Sequence, residues 1–106
     1  MAVTPDLEKR RVPRIPCRIR VVLADGPLCA RGVTADISSL GAYVRMENPW
    51  PKGTVVTFTI KAGFDRDIAL KSEVVHVREK DGIGIQFLQD QHEAIRELEA
   101  FLKELT

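Results

Sequence analysis

The chain has 106 residues, with 16 lysines and arginines against 15 aspartates and glutamates and a formal net charge of +1. A single domain of that length buries roughly 65% of its unfolded surface and holds a core without disulfide or metal staples. So even a charge balance speaks against a protein living on long nucleic acid, whose affinity comes from neutralising many phosphates, and favours a small anionic ligand.

The first fifteen residues carry charge and proline but no apolar run, and no stretch is apolar enough to span a bilayer, so a soluble, cytoplasmic protein without membrane insertion is expected. Cys17 and Cys29 have no CxxC or CxxH company and read as small hydrophobes in a reducing compartment. The near-neutral total hides an asymmetry. Residues 1–35 hold seven Lys/Arg against three Asp/Glu, and residues 89–106 hold two against five, so an anion would go to the N-terminal third.

Taken in order, residues 1–16 read as a flexible arm, because Pro5, Pro13 and Pro16 interrupt any helix. The domain proper is taken as 9–106, with 1–8 a flexible arm. From Cys17 the pattern alternates, placing Cys17, Ile19, Val21 and Leu23 on one side of a strand and Arg18, Arg20 and Val22 on the other. Asp25-Gly26-Pro27 is a turn, and Leu28 to Thr34 is a second strand. A polar turn, Asp36-Ile37-Ser38-Ser39-Leu40-Gly41, follows, and Ala42 to Met46 makes a third strand. Asn48 to Gly53 is a loop whose Trp50 reads as a lid over one end of the core, with a ligand-stacking platform as the alternative.

Thr54 to Lys61 is a β-branched strand with Val56, Phe58 and Ile60 on one face. Ala62 to Arg66 links it to Ile68–Glu79, where apolar parity changes from Ile68 and Leu70 to Val75 and Val77. A bulge near Ser72–Val74 would explain the switch and let a sheet curl into a barrel. Lys80-Asp81-Gly82 signals a hairpin into a sixth strand, Ile83–Phe87, in which Gly84 marks a close approach. Asp90 with Glu93 resembles a capping box, and Ile95, Leu98, Phe101, Leu102 and Leu105 give the following helix one apolar stripe, with Glu99 and Lys103 on its wet side. The expected fold is mainly β: a six-stranded antiparallel barrel with a C-terminal α-helix.

Two short segments carry chemistry. Arg10-Arg11-Val12-Pro13-Arg14 offers an arginine pair four residues apart, whose planar donor forks suit phosphate oxygens and guanine edges. The Asp36–Gly41 turn offers a carboxylate, a hydroxyl and a backbone free to take φ > 0. Arg14-Ile-Pro-Cys-Arg18 also spells RxxxR; Arg10 and Arg14 are preferred, because Arg18 points outward from the first strand with Arg20.

An RxxxR motif followed, after 22 residues and one strand pair, by DxSxxG, and then by the late strand Gly82-Ile-Gly-Ile-Gln-Phe87, resembles the PilZ domain family, bacterial receptors of cyclic di-GMP. The resemblance runs from about Lys9 to the chain end. It implies a PilZ-type barrel and gives Arg10 and Arg14 the phosphates and guanine faces of the ligand, with Arg11 secondary. Asp36, Ser38 and Gly41 would form the complementary turn, with Lys9 and Gly84 at the margin of the site.

The chemistry is coherent in its own terms. Cyclic di-GMP carries two permanent phosphodiester charges, arginine matches the O6/N7 edge of guanine, and Asp36 can accept from its donor edge. The resulting expectation is a stand-alone, monomeric or homodimeric adaptor in which the messenger clamps the arginine arm onto the barrel and signals to an unidentified downstream protein. No cofactor beyond this ligand, no metal and no nucleic acid are expected. The alternative is a module of the same fold that binds proteins and no nucleotide. A nucleic-acid barrel would want exposed aromatics in series, and enzymatic chemistry would want partners for His76 and His92, which stand isolated in the sequence.

Overall fold

The computed structural model describes residues 14–47, 50–63 and 66–105. Its strands are β1 (Ile15–Pro16), β2 (Arg20–Asp25), β3 (Leu28–Ile37), β4 (Gly41–Arg45), β5 (Val55–Gly63), β6 (Arg66–Arg78) and β7 (Gly82–Phe87), followed by one helix, α1 (His92–Leu105). All pairings are antiparallel. The order β3-β2-β5-β6-β7-β4 closes on itself through a β3–β4 ladder, which makes a six-stranded barrel, and the two-residue β1 adds to the end of β3. The expected six strands and C-terminal helix are therefore the fold.

Alternation places the core. Val21 and Leu23 of β2, Val56, Phe58 and Ile60 of β5, and Ile83, Ile85 and Phe87 of β7 are at most 3% exposed. Phe58 and Phe87 meet with ring centroids 5.3 Å apart at 45°, a tilted arrangement that suits aromatic quadrupoles. Leu98, Phe101 and Leu102 of α1 join this core, and half-buried Trp50 packs against it.

Five sequence expectations shift. The parity switch on β6 falls later than Ser72–Val74: Ile68, Leu70, Ser72 and Val74 all point inward, the register slips between Val74 and His76, and Val75 turns out to 37% exposure. Strand β3 runs on to Ile37, so Asp36 is a strand residue and the turn proper is Ser38–Leu40. Strands β5 and β6 reach Gly63 and Arg66, which shortens the expected linker. The helix cap falls one residue later than expected, at Gln91 instead of Asp90, since the Ile95 N–H donates to the Gln91 carbonyl at 3.1 Å. Leu105, expected in the apolar stripe, is 42% exposed.

Gln91 has a reason to sit at that junction. Ladder pairing between β6 and β7 ends at Ser72↔Phe87; beyond it the Leu88 N–H still donates to the Lys71 carbonyl at 3.0 Å, but the Lys71 N–H is left without a strand partner on that side. The Gln91 side chain satisfies that N–H at 2.9 Å and adds a second bond to the Lys71 carbonyl at 2.7 Å.

Candidate functional site

Two bulges shape one outer face of the barrel. On β3 the register shifts between Thr34 and Asp36, so Thr34 and Ile37 face the core at 1% and 0% exposure while Asp36 is turned outward opposite Tyr43. On β6 the slip at Val75 leaves both Val75 and His76 on the outside. Extra residues in single strands thus re-aim a carboxylate and an imidazole toward the same surface.

Arg14 is brought there by β1. Ile15 pairs with Ile37 and Pro16 with Asp36, and the Arg14 Nη1 donates to Asp36 Oδ1 at 3.0 Å. The two motifs, 22 residues apart in sequence, are therefore joined by an ion pair. Thr34 secures the incoming segment. Its buried hydroxyl donates to the Cys17 carbonyl at 2.6 Å and accepts from Ile19 N–H at 2.9 Å, a role with no sequence signal beyond a Thr at an inward position. Burial pushes the Cys17 thiol above its ordinary pKa against the opposing Thr34 bond, which keeps it an unreactive neighbour.

Ser38 and Gly41 are architectural in this structure. Ser38 is 4% exposed; its Oγ accepts from Leu40 N–H at 3.1 Å and Gly41 N–H at 3.3 Å, which ties the turn. Gly41 lies against β7 so closely that a β-carbon would stand 2.1 Å from the Ile85 carbonyl oxygen. Both residues also line a small hollow of about 120 Å³ shared with Arg14 and Val75.

That hollow opens into a groove of about 650 Å³ lined by Arg14, Asp36, Tyr43, Arg45, His76, Arg78 and Gly84, among others. Gly84 sits between Tyr43 and His76, its absent side chain leaving the groove floor low. Arg10, Arg11 and Lys9 lie outside the described residues.

Four groove residues and one neighbour were not singled out as site residues from the sequence: Tyr43, Arg45, His76, Arg78 and Asp81. Arg45 Nη1 donates to Asp81 Oδ1 at 2.9 Å, the Tyr43 hydroxyl donates to Asp81 Oδ2, and the Arg78 guanidinium lies 5.6 Å from the Tyr43 ring centre. Burial, and then the bond to Asp81, raises the pKa of Tyr43, so its hydroxyl stays a donor. Equal parity of Tyr43 and Arg45 on one strand was the available signal; their union with Arg78 and Asp81 was not.

The face therefore presents three guanidiniums against two carboxylates. Each carboxylate holds one arginine, and each arginine has five donors, so donors remain for an incoming anion. Among the described residues no three His, Cys, Asp or Glu gather as a metal site, and no helix is long and apolar enough to cross a membrane.

The PilZ domain family model matches residues 8–104. No curated protein matches the chain in sequence. Among solved structures, the PilZ domain of CeSA from a cellulose-synthesizing bacterium is similar over 86% of this chain and 98% of its own, at 26% identity and a TM-score of 0.68.

Proposed function

The chain belongs to the PilZ domain family, a family of cyclic di-GMP receptors, and from that membership we propose that this chain binds cyclic di-GMP on the Arg14–Asp36 face. The observation that carries the reading is the 3.0 Å ion pair between Arg14 and Asp36, which unites the two motifs at the rim of an open, arginine-lined groove. Arg14 is 62% exposed at its side chain, so it can keep Asp36 and still turn donors to a phosphate or to a guanine O6/N7 edge. Asp36 retains a second carboxylate oxygen for the guanine donor edge.

In this reading Arg10 and Arg11 add further guanidiniums, with Lys9 beside them, and ligand binding orders the arm against the barrel. The ordered arm then creates or hides a surface for a downstream protein, which makes the domain a receptor and adaptor with no catalytic step.

Isothermal titration with cyclic di-GMP, using GTP and cyclic di-AMP as controls, tests it. Saturable guanine-selective heat is expected. Arg14→Ala should weaken binding by roughly 10- to 150-fold, about 1.5–3 kcal/mol, because it removes a charge-assisted bond. Its melting temperature should fall by no more than about 4–8 °C, since an exposed ion pair contributes about 0–1 kcal/mol. Affinity surviving within a factor of two would refute the clamp, and the absence of any heat at high excess would make this a nucleotide-free interaction module.

A further inference from the structure

A second cationic surface lies beside the first. β3 pairs with β4 only from Val33↔Arg45 onward, so Leu28–Gly32 has a strand neighbour on one side alone among the described residues. Leu28 is 63% exposed and Val33 37%. Across the β2–β3 ladder, Arg20 stands opposite Val33 and Val22 opposite Arg31. Arg20, Val22, Arg31 and Val33 line a cleft of about 610 Å³ together with Met46 and Lys61, and Glu47 is the carboxylate among its lining residues. Lys61 is engaged by Asp67 at 2.9 Å, whereas Arg20 and Arg31 take part in no ion pair among the described residues.

Three features select an occupant. The backbone N–H and C=O groups on the open side of Leu28–Gly32 fit an added extended strand. Exposed guanidiniums at Arg20 and Arg31 select carboxylates. Val22 and Val33, each directly across the ladder from one of those arginines, offer apolar seats beside the charges. A second copy of this chain pairing through the same edge would set Arg20 and Arg31 against their own images, and like charges at an interface are costly. Among the described residues no aromatic lines the cleft to stack a base, which disfavours nucleic acid.

We propose that the β3 edge, Leu28–Gly32, flanked by Arg20 and Arg31, docks an extended acidic segment of a partner protein that carries aliphatic side chains between its carboxylates. The surface meets the Arg14–Asp36 groove at Arg45 and is otherwise separate from it, so the proposal stands whether or not the nucleotide binds.

A fluorescein-labelled ten-residue peptide of eight glutamates and two valines, titrated with the full chain by anisotropy at low salt, is the probe; a lysine counterpart and a ten-nucleotide oligouridylate are the comparisons. Saturable binding of the acidic peptide is expected, with amide shifts along Leu28–Val33 in a ¹⁵N-labelled chain. Arg20→Glu/Arg31→Glu should weaken it by about tenfold or more. If that variant fails to fold, Arg20→Gln/Arg31→Gln answers the same question. The proposal fails if binding does not saturate, if a folded variant binds undiminished, or if the shifts centre on Arg14 and Asp36. Tighter binding of oligouridylate would also overturn it and assign the surface to nucleic acid.

Discussion

Replacing Gly41 by alanine should lower stability by about 2–3 kcal/mol, the upper part of the range for overpacking. The new β-carbon would lie 2.1 Å from the Ile85 carbonyl oxygen, 3.2 Å from its carbon and 3.3 Å from the Gln86 Cα. A carbon and an oxygen settle at roughly 3.3–3.6 Å, so β4 must retreat from β7 by about 1 Å. Every opposing atom is backbone, and no rotamer change relieves the contact. The retreat strains the Gly41↔Gln86 pair and the 2.8 Å bond from Phe87 N–H to the Leu40 carbonyl. In a domain of this length 1 kcal/mol corresponds to roughly 4–8 °C, so the melting temperature should fall by about 10–20 °C, read by circular dichroism or calorimetry. A variant melting within about 2 °C of the parent would refute the close approach, and with it the account of why the DxSxxG motif ends in glycine.

Ser38→Ala removes the acceptor for two turn amides in a site only 4% exposed, and a urea titration should show a loss of about 1–3 kcal/mol. Phe58→Ala opens a void under Phe87 and should cost about 3–5 kcal/mol by the same measurement. Tyr43 supplies a pH dependence. Its folded pKa lies above the unfolded one, so its contribution is fully present below about pH 10 and is lost as pH rises through the folded value. The urea midpoint of the parent should therefore fall more steeply above pH 10 than that of Tyr43→Phe; parallel profiles would contradict the burial and the Asp81 bond as its cause.

Much of the fold was legible because it rests on short-range pattern. Strict alternation in Val55–Ile60 and Ile83–Phe87 marks two core strands without reference to any neighbour, and the helical spacing of Leu98, Phe101 and Leu102 marks a helix with one buried stripe. The bulge on β6 was visible as a change of parity but misplaced, because several nearby residues are apolar and only pairing with β7 shows that Val74 goes in and Val75 out. The bulge at Ala35 left no such trace, yet it is what turns Asp36 outward.

The same division runs through the candidate site. Local chemistry in the chain marked Arg14, Asp36, Ser38 and Gly41 as a set, since residue type and spacing are properties of the chain itself. Which of them face outward, and which hold the turn, depends on contacts made across the sheet: Arg14 and Asp36 reach the groove, while Ser38 is spent on two amides and Gly41 on the Ile85 carbonyl. Tyr43, Arg45, Arg78 and Asp81 become one cluster only when β4 is laid beside the β6–β7 hairpin, contacts separated by up to 38 residues that no periodicity encodes. Sequence alone determined the strands, the helix and the two motifs, because each is written within a few consecutive residues. Tertiary structure decided the register, the bulges and the charge partners, because those depend on which distant strand closes the barrel.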